Sequence, residues 1–402
     1  MVRLLRNRGV GCVIIRIVRK EITGVRKEKV RRMLEYVKGM DVSSLDEIEA
    51  LGAKFYNHGE QGDLFAILKS YGTNYIRLRL WNDPKSESGE PYGAGNSDMD
   101  VTLRLAKRVK AAGLKFLLDY HYSDCWADPG KQRKPKAWRG YSVEELEQAV
   151  YDFTKETLQV FVKEGVAPDM VQVGNELSNG LLWPEGKVPN YDNIARFVSA
   201  GVRAVKEVVP TAKIMLHLDN GGNNALYREW FDNYTKRGED FDIIGLSYYP
   251  FWHGSLEDLQ NNMDDISKRY GKELIIAEVS MGHTTKDYAE YEKLAPQQRK
   301  GMATKPELCA KVPFPMTKEG QSDFMKAFLE TVEKVPAHMG RGFFYWEPAW
   351  LPVCGSGWAT DASIAYMEEK GPCGNEWANQ ALFDYDGNAL PALEVIRDYK
   401  EN

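Results

Sequence analysis

The feature that most constrains this chain is the regular alternation of eight short apolar runs with longer amphipathic stretches. The runs have the length of β-strands, and we predict strands at residues 36–40, 74–80, 115–120, 170–174, 213–218, 243–247, 274–277 and 342–346. Strands that alternate with helices indicate a parallel sheet, and eight such units close into a (β/α)8 barrel. No Gly-rich phosphate turn follows the first strand, which disfavours an open dinucleotide-binding sheet. We therefore predict an α/β fold, a single-domain TIM barrel over residues 36–402.

The stretches between the runs carry helix signals. Ser142 precedes residues 143–162 and Glu145 follows it by three positions, which is the pattern of a capping box. Residues 103–112 end at Gly113, and residues 194–209 end before Pro210, both of which are stop signals. Residues 322–332 form a further predicted helix.

The N-terminal region differs from the rest of the chain in charge. Residues 1–40 hold 12 basic and three acidic side chains, although the whole chain has a net charge of −5. This distribution is not the footprint of a nucleic-acid-binding domain. The apolar run 10–15 is short, Arg16 and Arg19 follow it, and no small-residue cleavage site is present, which disfavours a signal peptide. We predict a basic extension at residues 1–35 and a cytoplasmic location, with secretion as the alternative.

Partners and cross-links are constrained by composition. No stretch approaches the roughly 18 apolar residues that span a bilayer, so we expect no membrane partner. We also expect a monomer and no nucleic acid. The five cysteines include no C-x-x-C pair, which makes a structural zinc site an unfavourable interpretation. Pairing among Cys309, Cys354 and Cys373 stays open.

Polar and aromatic side chains collect where the predicted strands end. In barrels of this kind the active site lies at the carboxyl ends of the strands. The candidates at or just beyond these ends are Asp41, Arg77, His121, Trp126, Asn175, Glu176, His217, Asp219, Tyr248, Glu278 and Trp346. Their common position on one face of the barrel predicts an active site there.

Two of these residues are glutamates that end apolar runs. Glu176 follows the fourth strand and Glu278 the seventh, so both carboxylates can face a cleft across the barrel mouth. Retaining glycosidases use two carboxyl groups about 5–5.5 Å apart, one as acid/base and one as nucleophile. Asn175, beside Glu176, carries an amide that can hold a sugar 2-hydroxyl. The pair predicts a retaining glycosidase.

Several motifs together resemble glycoside hydrolase family 53, the endo-β-1,4-galactanases of clan A. They are GMDVSS (39–44), IRLRLW (76–81), DYHYSD (119–124), WADP (126–129), GNE (174–176), LLWP (181–184), GLSYYP (245–250) and YWEPAW (345–350). The resemblance covers residues 36–402 and implies a (β/α)8 fold. It implies Glu176 as acid/base and Glu278 as nucleophile. Supporting residues that it implies are Arg77, His121, Asn175, Tyr248 and Trp346.

Each supporting residue has a physical task. Arg77 can keep the nucleophile ionised, since a nearby cation lowers a carboxyl pKa. Tyr248 can donate to Glu278, and Trp346 can form the floor under the sugar. His121 and His217 can bond a carboxylate or a hydroxyl, and Trp126, Trp183 and Trp350 can be sugar platforms.

The function that we predict is cleavage of β-1,4-galactan by a retaining double displacement. The alternatives are another clan-A endo-hydrolase, acting on mannan or cellulose, and a carbohydrate-binding barrel without catalysis. The chemistry requires no cofactor or metal. Bacterial members of the resembled family can carry calcium between the last two long loops, and segments 355–360 and 379–384 look bacterial. The acidic run expected after the seventh strand is absent, however, so we keep structural calcium only as an option.

Overall fold

Eight parallel strands close into a barrel in the computed structural model, which describes residues 34–289, 293 and 305–400. The strands are β1 (Val37–Asp41), β2 (Tyr75–Leu80), β3 (Lys115–Tyr120), β4 (Met170–Val173), β5 (Lys213–Leu218), β6 (Ile243–Tyr248), β7 (Glu273–Val279) and β8 (Gly340–Trp346). Their order around the barrel is β1-β8-β7-β6-β5-β4-β3-β2. The predicted (β/α)8 fold is confirmed, with strand bounds displaced by at most two residues. The predicted basic extension falls almost wholly on residues 1–33, which lie outside the described residues, and stays a prediction.

One main helix follows each strand and covers the barrel. These helices are α1 (Leu64–Ser70), α2 (Met99–Ala111), α3 (Val143–Lys163), α4 (Tyr191–Val208), α5 (Asn224–Tyr234), α6 (Leu256–Tyr270), α7 (Lys318–Glu333) and α8 (Ala392–Asp398). The predicted capping box begins α3: the Glu145 amide donates to Ser142 Oγ (3.3 Å), and the Ser142 amide donates to Glu145 Oε2 (2.7 Å). Within the described part of the chain, no helix has both the length and the apolar character needed to cross a bilayer.

Shorter elements decorate the ends of the barrel. Helical segments lie at Leu45–Ala50, Pro306–Cys309 and Asp361–Met367, with 3-10 turns at Lys136–Trp138, Leu177–Asn179, Pro336–His338 and Ala378–Gln380. Phe55–Asn57 pairs with Glu60–Gly62, and Gly180–Leu181 pairs with Gly186–Lys187, as small antiparallel hairpins. Cys354 carries a free, exposed thiol, whereas the Cys373 thiol donates to Asp361 Oδ1 at 3.6 Å, so these two residues form no bridge.

The barrel interior has an apolar layer and a polar layer above it. Tyr75 and Phe344 meet edge to face with ring centres 6.3 Å apart. Two residues beyond Tyr75, the inward side chain of β2 is Arg77, which pairs with Asp119 of β3. Both side chains are polar and buried. Because alternate residues of a strand face the same side, this change places polar chemistry at the carboxyl end of the barrel.

Gly342 provides a test of how the barrel closes. It lies on β8 opposite Val37 of β1, has φ +115°, and a Cβ placed there would lie 2.0 Å from the Val37 carbonyl oxygen. We expect Gly342→Ala to lower the free energy of unfolding by more than about 3 kcal/mol. The strain of a positive φ and the collision with the Val37 carbonyl both destabilise the folded state, and their costs add. Gly140→Ala, where a Cβ meets nothing within 4 Å, is the control. Similar thermal unfolding midpoints for the two variants would contradict this account of closure.

Candidate active site

A cleft of about 530 Å³ opens at the carboxyl ends of the strands, and residues that follow β2 through β8 line it. Its size is typical of small-ligand sites. The predicted site residues that line it are Arg77, His121, Trp126, Asn175, Glu176, Asp219, Glu278, Trp346 and Trp350. Asp41 and His217 are buried and bond to residues of the cleft without lining it.

Glu176 and Glu278 face each other in this cleft. A carboxylate oxygen of Glu176 and one of Glu278 lie within 4.8 Å of each other, and both residues are buried. The chain leaves β4 through Gly174 (φ +85°) and Glu176 (φ +47°), and this left-handed turn carries the Glu176 side chain into the cleft. The separation suits a retaining rather than an inverting pair, for which the carboxyl groups lie about 6.5–9.5 Å apart.

Arg77 is the centre of the polar layer beneath the pair. Its guanidinium forms ion pairs with Asp41 (2.8 Å), Asp119 (2.9 Å) and Glu278 (2.9 Å). It also donates to Asn175 Oδ1 (2.9 Å) and to Gln172 Oε1 (3.2 Å). Burial opposes the charge of Arg77, but the three carboxylates outweigh burial and raise its pKa. The cation is therefore permanent.

Glu278 receives two contacts that stabilise its ionised form. Arg77 Nη1 lies 2.9 Å from Oε1, and the Tyr249 hydroxyl donates to Oε2 at 2.7 Å. Burial raises the pKa of Glu278 to about 7, although Arg77 and the Tyr249 hydroxyl act to lower it. These contacts suit a carboxylate that acts as a nucleophile.

Glu176 has different surroundings. Burial raises its pKa well above the ordinary value, and the charges of Glu278 and Asp219 raise it further, against a hydrogen bond from Ser247 Oγ (2.6 Å). Among the described residues, Glu278 has a cationic ion-pair partner, Arg77, and Glu176 has none. The pair titrates as a unit, and its first proton leaves from the side that faces the cation. Glu176 therefore keeps its proton, as a general acid requires.

A buried chain of side chains supports Glu176 from below. Ser247 Oγ lies 2.8 Å from His217 Nε2, and His217 Nδ1 lies 3.0 Å from Asn175 Oδ1. Burial lowers the pKa of His217 well below its ordinary value, and the charge of Arg77 lowers it further. His217 is therefore neutral and orients Ser247 without placing a second cation near Glu176.

The prediction that Tyr248 contacts Glu278 is wrong, and Tyr249 makes this contact. Ser247 points into the barrel toward Glu176, so Tyr248 points outward, where its ring packs parallel to Phe324 and Phe328 of α7. The Tyr248 hydroxyl donates to the Gly254 carbonyl (3.0 Å). Tyr249, one residue later, returns to the cleft. The pairing of β6 with β7 passes over Ala277 of β7, between the partners of Leu246 and Ser247, so the alternation along β6 itself is kept.

The remaining predicted residues take varied positions. His121 Nε2 lies 3.0 Å from Asp119 Oδ2, and its Nδ1 accepts from the Trp81 indole (3.1 Å), so His121 is anchored at the cleft wall. Trp183 does not line the cleft; its ring lies under Lys187 Nζ at 4.2 Å.

Aromatic rings form one wall of the cleft. Trp346 contacts Trp377, Trp126 and Trp350 with ring centres 4.7, 6.0 and 6.0 Å apart. Trp377 belongs to the long segment after β8, and the sequence analysis did not select it. The distance of Trp377 from the end of β8 gave no reason to select it. The sequence analysis also missed Gln172, Ser247 and Tyr249, although strand alternation predicts that their side chains point inward.

Comparison with known proteins identifies the family. The family model described as glycosyl hydrolase family 53 matches residues 37–396. The chain belongs to this family. The predicted resemblance to glycoside hydrolase family 53 is thus confirmed.

Relatives within family 53 cover nearly the whole chain. The "Endo-beta-1,4-galactanase" of Bacillus subtilis (strain 168) is 36% identical over 94% of this chain and 87% of that protein. The "Arabinogalactan endo-beta-1,4-galactanase" of Humicola insolens is 33% identical over 90% of this chain and 99% of its own length. The solved structure of the Ignisphaera aggregans GH53 catalytic domain is 38% identical, with a TM-score of 0.82 over 92% of this chain and 97% of that domain.

Tyr249 and Tyr248 offer a matched pair for testing the contact with Glu278. Tyr249→Phe removes a hydrogen bond to the ionised carboxylate, so the pKa of Glu278 rises and the acid limb of the kcat/KM profile moves to higher pH. We expect kcat/KM for glycoside hydrolysis to fall about ten- to a hundredfold. Tyr248→Phe, which loses only the bond to Gly254, should leave the profile in place. Equal effects of the two variants, or an unmoved acid limb in Tyr249→Phe, would contradict the assignment.

Proposed function

We propose that this family 53 glycosidase is a retaining endo-β-1,4-galactanase that hydrolyses β-1,4-galactan, including type I arabinogalactan. The observation that carries the mechanism is the pair of carboxylates within 4.8 Å, of which only Glu278 faces the buried cation Arg77. The substrate follows from the relatives, whose names are endo-β-1,4-galactanase and arabinogalactan endo-β-1,4-galactanase at 33–36% identity.

The first step forms a galactosyl-enzyme. Ionised Glu278 attacks the anomeric carbon while Glu176 donates its proton to the leaving oxygen, so the C–O bond breaks without releasing an alkoxide. Trp346 provides the floor under the sugar at the cleavage point. Asn175 is fixed beside Glu176 because its Nδ2 donates to the Ala127 carbonyl (2.9 Å) and its Oδ1 accepts from Arg77. The second Nδ2 hydrogen is then available to a sugar hydroxyl.

The second step releases the sugar. Glu176, ionised after the first step, takes a proton from a water molecule that attacks the anomeric carbon, and Glu278 leaves as a carboxylate. Glu176 returns to its protonated state. The loss of negative charge on Glu278 during the intermediate lowers the pKa of Glu176, since the charge of Glu278 is one cause of its elevation. Glu176 therefore changes from acid to base at the point where the mechanism needs it.

Assays on different polysaccharides distinguish the galactanase from two alternatives. An endo-hydrolase for mannan or cellulose would share the barrel and the glutamate pair, whereas a binding barrel without catalysis would release no reducing ends. Both glutamates and their supporting contacts are present, which favours catalysis. We expect reducing ends to appear with β-1,4-galactan and not with mannan or cellulose. Cleavage of mannan or cellulose with galactan left intact would overturn the galactan assignment.

Exchange of each glutamate for glycine tests the two roles. Glu278→Gly should abolish galactan hydrolysis, and azide should restore cleavage of an activated aryl β-galactoside with an α-azide product, because azide attacks from the vacated face. In Glu176→Gly an activated substrate still forms the intermediate, since a good leaving group needs little acid help. Azide then attacks the intermediate and gives a β-azide.

The stereochemistry of the azide product distinguishes roles rather than importance. An α-azide from Glu176→Gly would mean that the two assignments are reversed. Absence of rescue in both variants, with both folded by circular dichroism, would favour structural roles for the two residues.

The chemistry needs no cofactor, and we assign no step to calcium. Among the described residues, the group of acidic and histidine side chains that lie close enough to share an ion is Glu176, His217 and Glu278, all at the catalytic site. The segments after β7 and β8 meet through direct hydrogen bonds, for example from Ser280 Oγ to Gln380 Oε1 (2.6 Å) and from Tyr385 to the Lys286 carbonyl. We further propose that the enzyme acts as a monomer on its polysaccharide, without nucleic-acid or membrane partners.

A further inference from the structure

The catalytic pair divides the cleft into two halves. Around the barrel, β5 and β6 lie between β4, which carries Glu176, and β7, which carries Glu278. The other half, from β8 through β1 to β3, holds Arg77, Trp126 and Trp346. The sugar under attack must lie over Trp346 and against Glu278. The leaving group must lie on the other side of the oxygen that Glu176 protonates, toward the ends of β5 and β6.

Asp219 is a carboxylate in this second half. It follows β5 and lines the cleft, and its charge acts on Glu176. Among the described residues, no hydrogen-bond donor reaches its buried Oδ1. A buried carboxylate oxygen without a donor is unfavourable. Rotation about the Cβ–Cγ bond is soft, so the same carboxylate can turn an oxygen to a hydroxyl donor in the cleft.

Trp252 is an exposed aromatic group in this half. It belongs to the loop after β6, 39% of its surface is exposed, and its ring centre lies 6.3 Å from that of Trp377 at the edge of the aromatic wall. Its ring stands edge-on to Tyr249 at 5.9 Å, and Tyr249 in turn holds Glu278. An exposed tryptophan at the edge of a sugar cleft offers a flat apolar face for the C–H face of a pyranose.

Trp252 also borders a second cavity. This cavity of about 660 Å³ lies between the loop after β6 and the segment that precedes α7, and Trp252 belongs to the walls of both cavities. Phe251, Pro313 and Phe314 give the second cavity an apolar wall, and Glu257 and Lys311 give it polar groups. This combination suits a carbohydrate, which presents C–H faces and hydroxyls together.

We propose that Asp219 and Trp252 bind the leaving-group side of the polysaccharide, Asp219 through a hydroxyl of the first galactosyl residue and Trp252 by stacking on the next. This assignment rests on the proposed galactanase function. It makes Asp219 and Trp252 specificity-determining residues that act on binding of the leaving chain and not on attack at the anomeric carbon.

The test compares substrates with and without a leaving chain. β-Galactobiosyl fluoride has a single-atom leaving group, whereas galactohexaose places galactosyl residues beyond the cleaved bond. For Asp219→Ala and Trp252→Ala we expect kcat/KM on galactohexaose to fall about tenfold or more, because remote binding energy is lost. On the fluoride the value for Trp252→Ala should stay within about twofold of the unmodified enzyme, and Asp219→Ala, which also loses a charge that acts on Glu176, should lose several-fold less than on galactohexaose. Equal losses on both substrates would overturn the proposal.

The position of cleavage gives a second readout. With galactohexaose labelled at its reducing end, loss of Trp252 should shift cleavage toward that end and shorten the labelled products. A shift toward longer labelled products would place Trp252 on the other side of the cleavage point, and an unchanged pattern would remove it from substrate binding. Either result overturns the proposal.

The controls are matched by exposure and charge. Tyr141→Ala removes an aromatic side chain with the same 39% exposure that lines neither cavity, and Asp192→Ala removes an exposed carboxylate. Both should behave as the unmodified enzyme, and thermal unfolding midpoints verify folding of all four variants. If the unmodified enzyme cleaves a different β-1,4-glycan, the galactanase function fails. The same comparison, made with the fluoride and oligosaccharides of that glycan, then decides the leaving-group assignment.

Discussion

The ion-paired guanidinium of Arg77 is the interaction on which the rest of the site depends. A charge buried this deeply is stable only when charged and polar partners compensate for the lost water. Asp41, Asp119 and Glu278 supply three carboxylates within 2.9 Å, and they come from β1, β3 and β7. The barrel is what makes this arrangement possible, because closed strands turn inward residues from distant parts of the chain toward one axis. Removal of the cation would leave carboxylates buried together, at a cost to folding as well as to chemistry.

The same cation gives the two glutamates different roles. Both are buried, and burial alone would raise both pKa values. Arg77 and Tyr249 act on Glu278, whereas Glu176 meets the neutral pair of Ser247 and His217. Burial and Arg77 keep His217 uncharged, so the cation that stabilises one carboxylate also prevents a second cation from forming beneath the other. Acid and nucleophile thus differ in their neighbours rather than in their chemistry.

The sequence predicts the parts of this site that strand periodicity controls, and it is less informative elsewhere. Glu176, Glu278 and Arg77 end or occupy strands, so the rule that active sites lie at strand ends was enough to collect them. Tyr248 was selected in place of Tyr249 because the resemblance pointed to it, whereas alternation along β6, with Ser247 inward and Tyr248 outward, places Tyr249 in the cleft. Trp377 lies some thirty residues beyond the end of β8. Its place beside Trp346 depends on how that segment folds back, which local propensity does not determine.

This difference between the strands and the long segments that connect them has a physical consequence for substrate specificity. The long segment after β8 is tied to the segment after β3 as well as to its own strand: Trp126 Nε1 donates to the Trp358 carbonyl (2.7 Å), and Lys131 pairs with Glu369 (2.6 Å). Contacts between the connecting segments therefore build the aromatic wall, whereas contacts between strands hold the carboxylates in place. A change in a connecting segment can reshape the surface that the sugar contacts without moving Arg77 or Glu278. Choice of glycan can thus vary in such a barrel while the bond-breaking chemistry stays the same.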